Sequence, residues 1–275
     1  MADPSILYHY TTAEGLLGIV QSGKLRATDR AFLNDRSVSL HGEIVIAEHK
    51  DDLRKTIDED YSGSDEAKEM LDRYLNQLDA DRRNLPRWTW NVASLCERPD
   101  LLMQWIGYGQ KGGYCVGLDR KGLEAHPQFY LDPVIYDRSA QIERLAQDLA
   151  TWYLPGAIGE PEDTKAGALT DSVAWTLTYL MCCKNFAFEN EAEWVAWNLD
   201  AGSDSHPLFR STSALGVIPY VEWGIGTGEE SLIREVWIGP SSSGDECERA
   251  VALLLKSVDL DERVVVRRSQ IPFRW

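Results

Sequence analysis

The chain opens with a histidine held between two regular elements. Residues 7–12 read Leu-Tyr-His-Tyr-Thr-Thr, a pattern typical of a β-strand, and the residues after them have the apolar spacing of a helix. Thr11 and Glu14 have the spacing of a capping box, and Gly23 is the residue type that ends a helix in the left-handed conformation. His9 is therefore placed to position a ligand, or else it is bonded into the edge of the core.

A second group of chemically capable residues lies late in the chain, at Glu191-Ala192-Glu193-Trp194. If these residues form a strand, side chains two apart share a face, so both carboxylates would face one cleft. Lys184 or Arg210 could balance the repulsion between the acids. The alternative is a solvated acidic strand face with Trp194 buried behind it.

The composition limits the class of protein. The chain has 275 residues, 44% of them hydrophobic, and ten tryptophans, which predicts a folded globular protein. A net charge of −16 disfavours a general nucleic-acid surface but leaves a local basic cleft or a nucleotide-sized ligand open. We expect no secretion signal, no membrane span and no membrane partner. Five cysteines without framework spacing indicate reduced thiols and a cytoplasmic location.

Strands and helices alternate irregularly along the chain, which predicts an α+β fold around a mixed or antiparallel sheet. We expect one elaborated domain over residues 1–275, with 37–82 as a helical insertion or lid. Asp100 is expected to cap a helix through Tyr108. The remaining predicted elements are strands at 24–28, 88–95, 114–118, 129–136, 192–198, 236–238 and 263–266, and helices at 139–153, 163–184 and 244–257, with a break at Pro155-Gly156.

An ordered series of segments resembles an uncharacterised bacterial family of unknown function. The segments span nearly the whole chain: Leu7-Tyr8-His9-Tyr10-Thr11, Phe32-Leu33-Asn34-Asp35, Ser94-Leu95-Cys96-Glu97, Gly113-Tyr114-Cys115-Val116-Gly117, Glu191-Ala192-Glu193-Trp194 and Ile238-Gly239-Pro240. Two positions depart from that family. Val38 stands where an acidic residue is usual, and Val195 stands where an arginine is usual. Either departure implies a shifted ligand preference or a degenerate site.

The order of elements also resembles, more distantly, the ADP-ribosyltransferase superfamily, with a split sheet and helical insertions. That resemblance implies that His9 donates a hydrogen bond to a ribose of NAD, that Ser94 lies on the middle strand, and that Glu193 opposes charge on the nicotinamide ribose. Further roles implied by the resemblance are Glu191 as the outer acid, Tyr10 as a backbone contact to nicotinamide, and Tyr108 or Tyr114 as the stacking ring. NAD would be the substrate, and no metal is expected.

The leading hypothesis is transfer of ADP-ribose from NAD to a macromolecular acceptor, a protein or a nucleic acid, by a bacterial toxin or antiviral effector. One alternative is a catalytically degenerate module that senses nucleotides or binds proteins, which Val38 and Val195 would suit. Another is a metal-dependent nucleotide or phosphoester hydrolase with acidic ligands. Asn34 and Asp35 could contact a substrate, although Asn-Asp is also ordinary turn chemistry.

Overall fold

The structure is a computed structural model that describes residues 4–33, 44–45, 47–48, 50–60, 64–82, 89–109, 112–200, 207–212, 216–241 and 243–273. The contacts of the chain group into two compact units. The first unit comprises Met1–Phe32, Trp90–Pro133 and Asn190–Trp275, and the second comprises Leu33–Thr89 and Val134–Glu189.

The regular elements are numbered in chain order. The strands are β1 (Ile6–Thr11), β2 (Lys24–Asp29), β3 (Thr89–Cys96), β4 (Tyr114–Asp119), β5 (Tyr130–Pro133), β6 (Glu193–Asp200), β7 (Leu208–Thr212), β8 (Gly216–Gly224), β9 (Ile233–Ile238) and β10 (Val265–Arg268). The helices are α1 (Ala13–Ser22), α2 (Lys50–Asp60), α3 (Asp65–Arg82), α4 (Leu102–Gln104), α5 (Arg120–Glu124), α6 (Arg138–Asp148), α7 (Leu154–Ala157), α8 (Glu162–Tyr179) and α9 (Gly244–Lys256).

The first unit is built on an open sheet of mixed orientation, as predicted. Its strands follow the order β10-β9-β4-β1-β3-β2-β8-β7, while β6 pairs with β3 and β5 pairs with β6. Strands β9 and β10 run parallel, and the other registered pairs run antiparallel. A mixed sheet with helices interspersed along the chain confirms the coarse fold class.

The sheet divides at β3. Strand β1 is in register with β3 only where Tyr8 faces Cys96, whereas β2 meets β3 near its other end, where Thr28 faces Val92. Ser94 lies between these two contacts. No residue of β1 or β2 is registered opposite it. The gap between β1 and β2 is thus an opening in the sheet itself.

Strand β6 occupies the other edge of β3. At one end the N–H of Glu97 donates to the carbonyl of Ala192 at 3.0 Å, and at the other end the side-chain amide of Asn91 donates to that of Asn198 at 3.0 Å. These contacts show that the two strands run antiparallel. Since β6 takes one whole edge of β3, β1 and β2 must share the opposite edge.

Helix α1 links β1 to β2 across the opening. Its N-cap is Thr12, whose hydroxyl accepts a hydrogen bond from the N–H of Gly15 at 3.2 Å. The predicted capping role of Thr11 is wrong, because Thr11 is still the last residue of β1. Gly23 ends the helix with φ of 60°, as predicted from its residue type.

The two faces of β1 belong to different cores. Leu7 packs in the larger core, which includes buried side chains of α1, β2, β9 and α9. Tyr8 and Tyr10 belong to a smaller cluster with Cys96, Trp105 and Cys115. The alternation along the strand therefore directs His9 to the face of Leu7.

Strand β5 does not pair with β4, the strand that precedes it in the chain. Both edges of β4 are taken, one by β1 and the other by β9. Strand β5 pairs instead with β6, and the indole N–H of Trp197 donates to the carboxylate of Asp132 at 2.8 Å.

The segment after β3 also differs from its prediction. Asp100 does not cap α4, which begins without a side-chain cap and continues into a single wide turn, Trp105–Gly109. The carboxylate accepts hydrogen bonds from the indole of Trp105 at 2.8 Å and the hydroxyl of Ser269 at 2.6 Å. Asp100 thereby ties this turn to the C-terminal segment.

The second unit contains the helices α2, α3, α6, α7 and α8. The hydroxyls of Tyr74 on α3 and Thr176 on α8 lie 2.5 Å apart, and Tyr153 donates to the carbonyl of Met70 at 3.0 Å. The predicted break between the two helices falls at 158–161 and not at Pro155-Gly156, because Pro155 sits in the first turn of α7, where proline is tolerated. The single-domain organisation and the lid role of residues 37–82 stay predictions.

No helix within the described ranges combines the length and the apolar character needed to cross a bilayer.

Candidate functional site

His9 is fixed at the opening of the sheet. Its Nδ1 atom lies 3.0 Å from the carbonyl oxygen of Ser94. A carbonyl can only accept a hydrogen bond, so Nδ1 carries the hydrogen. The carbonyl of Ser94 lies where β1 no longer pairs with β3. The ring N–H of His9 satisfies it in place of a strand partner.

The chemistry of the ring follows from its protonation. Burial lowers the pKa of His9 from its ordinary value of 6.5, and the positive charge of Arg210 lowers it further. At neutral pH the ring is therefore neutral, with its hydrogen on Nδ1 and a lone pair on Nε2. Within the described residues Nε2 makes no hydrogen bond, and the His9 side chain is only partly exposed. His9 presents a hydrogen-bond acceptor to a ligand, whereas the resemblance implied a donor.

Ser94 contributes its backbone to this contact. Its side chain lies on the face of Cys96, two residues along β3, and Cys96 belongs to the smaller cluster. Ala93 and Leu95 point the other way, into the larger core that Leu7 shares. The structure brings His9 and Ser94 together through the carbonyl and not through the hydroxyl.

Glu191 and Glu193 do not lie in one strand. Strand β6 begins at Glu193, and Glu191 ends a 3-10 turn that precedes it. Ala192 between them has φ of 45°, a left-handed conformation that is uncommon for a residue other than glycine. Strand alternation therefore does not relate the two glutamates, because the chain turns between them.

Glu193 is 7% exposed and its Oε2 atom is buried. Its neighbours Trp194 and Ala196 point into the larger core, so Glu193 points to the other face of β6. There it lies near Cys96, whose pKa is raised to about 11 by burial and, more weakly, by the charge of Glu193. His9 and Glu193 consequently lie on opposite faces of the sheet, where the resemblance implied one shared cleft.

Tyr10 is held within the smaller cluster. Its hydroxyl donates to the carbonyl of Arg98 at 2.9 Å and accepts from the N–H of Leu101 at 3.0 Å. Its ring packs edge-on against Trp105, with the centroids 4.8 Å apart at 74°. The side chain of Tyr10 is therefore a packing element, and its implied backbone contact to nicotinamide stays a prediction.

The two candidate stacking rings differ in position. Tyr108 lies in the turn after α4 with 41% of its surface exposed. Tyr114 faces Thr11 in the register of β1 and β4, so it lies on the His9 face. Burial and a hydrogen bond with Cys247 raise the pKa of Tyr114 to about 12. Of the two, Tyr114 is on the same side of the sheet as His9.

The remaining predicted positions divide in two. Asn34, Asp35 and Val38 lie outside the described residues. Val195 is buried in β6, opposite Asp132 of β5, at the position where the resembled family usually has an arginine.

Two arginines that sequence reasoning did not combine stand beside the opening. Arg26 on β2 and Arg210 on β7 share a face with the cross-strand pair Thr28 and Tyr220. The guanidinium of Arg210 donates to the hydroxyl of Thr28 at 3.0 Å, and that of Arg26 lies 5.1 Å from the centroid of the Tyr220 ring. We refer to Arg26 and Arg210 as the arginine pair.

The arginine pair is a local concentration of positive charge. Partial burial and the charge of Arg26 lower the pKa of Arg210, while Glu14 opposes that effect from a distance. Glu222, which faces Arg26 across the strands, is ion-paired with Lys24 at 2.8 Å. In the part of the chain that the structure describes, neither member of the pair has a carboxylate at ion-pairing distance.

Sequence reasoning missed this cluster because it assigned no strand to residues 208–224. Residues 217–224 alternate in the way of a strand, but Pro219 within them argues against one. The available signal was the alternation of Tyr220 and Glu222 with Val221 and Trp223.

Comparison with known proteins adds no relative: no family model matches the chain, and no curated protein or solved structure is detectably similar to it. The resemblances drawn from the sequence therefore stay expectations. Among the described residues, no three His, Cys, Asp or Glu side chains are grouped as a metal site requires.

Proposed function

We propose that the chain binds a nucleotide, with NAD as the leading candidate, where β1 and β2 separate from β3. One observation carries this proposal. A neutral, fixed histidine has an acceptor nitrogen that bonds to no described residue, within electrostatic range of Arg210, a member of the arginine pair.

The two features suit different parts of one ligand. The Nε2 atom of His9 accepts a hydrogen bond from an O–H group, such as a ribose hydroxyl. The arginine pair favours an anion, such as a phosphate group. A nucleotide combines hydroxyl donors and anionic groups within a few bonds, which a nucleoside or a free phosphate does not.

Binding without turnover fits the geometry best. Cleavage of the glycosidic bond of NAD develops positive charge on the ribose, and a carboxylate must lie close to oppose it. Glu193 lies on the opposite face from His9, beside Cys96. The function proposed is therefore nucleotide sensing, the second of the hypotheses drawn from the sequence.

Transfer of ADP-ribose to a macromolecular acceptor is the second candidate, and one observation favours it. Ala192 holds a left-handed conformation between the two glutamates that the resemblance makes catalytic. Backbone strain of this kind concentrates at functional sites. If transfer occurs, NAD is consumed with release of nicotinamide, and Glu193→Gln abolishes the release.

Calorimetric titration of the full chain with NAD tests the proposal, with nicotinamide release followed chromatographically. The matched variant is His9→Asn, because an asparagine amide can replace the Nδ1 contact to Ser94 but supplies no Nε2 acceptor. We expect saturable binding, at least about tenfold weaker in His9→Asn, a loss of ~1.4 kcal/mol. NAD is expected to stay intact.

His126→Asn is the control, because both ring nitrogens of His126 are already bonded, to Gly224 and Gln128. Its NAD affinity should equal that of the wild type. Absence of saturable binding, or equal affinity in wild type and His9→Asn, would refute the proposal. Release of nicotinamide that depends on Glu193 would instead establish the second candidate.

A further inference from the structure

The arginine pair is anchored without being neutralised. Arg210 uses one of its five N–H groups on Thr28, and Arg26 rests over the ring of Tyr220. Thr28 is 5% exposed and Tyr220 is 7% exposed, so both guanidinium groups lie against buried side chains. Most of the donor groups are left for another partner.

The local charges keep the pair cationic. The carboxylate that faces Arg26 across the strands, Glu222, is committed to Lys24. Glu14 of α1 acts on Arg210 from a distance and forms no ion pair with it in the described part of the chain. Two like charges held side by side repel each other, and a bound anion would relieve that repulsion.

Helix α1 leaves space beside Arg26. A Cβ atom at Gly18 would lie 3.6 Å from a terminal guanidinium nitrogen of Arg26, so the helix approaches this group with backbone alone. Planar guanidinium groups bind phosphate oxygens through parallel N–H donors, which an ammonium cannot do.

We propose that the arginine pair is a subsite for a diphosphate group, so that the chain selects ligands carrying two linked phosphates. Two cations match the charge of a diphosphate, and a nucleoside offers them nothing. This inference rests on the proposed function only for the rest of the ligand, the part that meets His9.

The probe is inorganic pyrophosphate, titrated into the full chain by calorimetry, with inorganic phosphate as the weaker comparison. We expect saturable pyrophosphate binding in the wild type, weakened at least about tenfold in Arg26→Gln and in Arg210→Gln. Arg210→Lys keeps the charge but loses the planar fork, so its pyrophosphate affinity should fall between those of the wild type and Arg210→Gln. Arg263→Gln, which removes a surface arginine paired with Glu229, should bind as the wild type does.

Thermal unfolding of each variant shows whether the fold is retained, and a charge-reversed pair, Arg26→Glu with Arg210→Glu, should bind no pyrophosphate at all. Pyrophosphate that fails to bind, or that binds equally to wild type and Arg210→Gln, overturns the subsite. If pyrophosphate binds through the pair but NAD does not compete, the subsite stands and the proposed function fails. If NAD binding depends on His9 but not on the pair, the proposed function stands and the subsite fails.

Discussion

Two regions of the divided sheet use their polar groups in opposite ways. In the cluster around Trp105, the hydroxyl of Tyr10 is bonded twice and the indole of Trp105 donates to Asp100. At the opening between β1 and β2, Nε2 of His9 bonds to no described residue and the arginine pair keeps its charge. Groups already committed to the protein hold a fold together, whereas polar groups with unused capacity point to a ligand.

The two regions differ in which residues can meet a ligand. The sequence resemblance assigned functional roles to Glu193 and Tyr10, both of which the structure buries. The geometry instead favours Arg26 and Arg210 as ligand contacts, although neither belongs to a sequence motif. The decisive difference is the accessibility of charge, which residue types alone do not reveal.

The largest effect expected is in the cluster around Trp105, in Trp105→Ala. Trp105 is 1% exposed, carries the edge contact with Tyr10 and donates to Asp100 at 2.8 Å. Loss of a buried tryptophan costs about 3–5 kcal/mol of unfolding free energy. Urea unfolding measures it, with Met103→Ala as control, since Met103 is 62% exposed. A loss as small in Trp105→Ala as in Met103→Ala would contradict the assignment of this cluster to stability.

The next effect separates the faces by ligand affinity. We expect Glu193→Gln to bind NAD within about twofold of the wild type, whereas His9→Asn binds at least about tenfold more weakly. The physical reason is that Glu193 lies on the face away from His9, near Cys96. Calorimetry on both variants gives the ratio. A larger loss in Glu193→Gln than in His9→Asn would reverse the comparison.

Much of the fold was predictable because its signals are local. The strand at β3, the helix α9 and the stop at Gly23 follow from alternation, periodicity and one residue type. What could not be predicted depends on register between distant strands. The face of His9 is set by the pairing of Tyr8 with Cys96, and the face of Glu193 by the pairing of β6 with β3.

The same limit explains the missing cluster and the misplaced glutamates. Arg26 and Arg210 are separated by most of the chain and meet only because β8 lies between β2 and β7. Ala192 adopts a positive φ that alanine rarely takes, so no local rule would end the strand between the glutamates. Residue spacing in the sequence reveals neither long-range strand pairing nor backbone strain that the rest of the fold supports.

A pH titration sharpens the assignment of the opening. The pKa of His9 is lowered from 6.5 in the folded chain, chiefly by burial, so the unfolded chain binds this proton more readily. Free energy of unfolding therefore falls as the pH drops below about 6.5, by at most ~1.4 kcal/mol per pH unit from this group. The difference between wild type and His9→Asn, measured by urea unfolding from pH 5 to 8 (~0.5 unit steps), isolates it. A difference that does not vary with pH would show that the ring is not shielded.

The smallest effect concerns α1, the helix that spans the opening. At Gly18 a Cβ would make ordinary contact with Arg26 at 3.6 Å, whereas at Gly15 it would lie 1.9 Å from the hydroxyl oxygen of Thr11. Gly18→Ala should thus stabilise the chain by about 0.5–1 kcal/mol, because alanine loses less conformational entropy in a helix. Gly15→Ala should destabilise it, since Thr11 must move. Thermal unfolding of the pair decides between them. If both substitutions stabilise the chain, Thr11 at the end of β1 moves readily. His9 on the same strand is then not held as firmly as its contact with Ser94 implies.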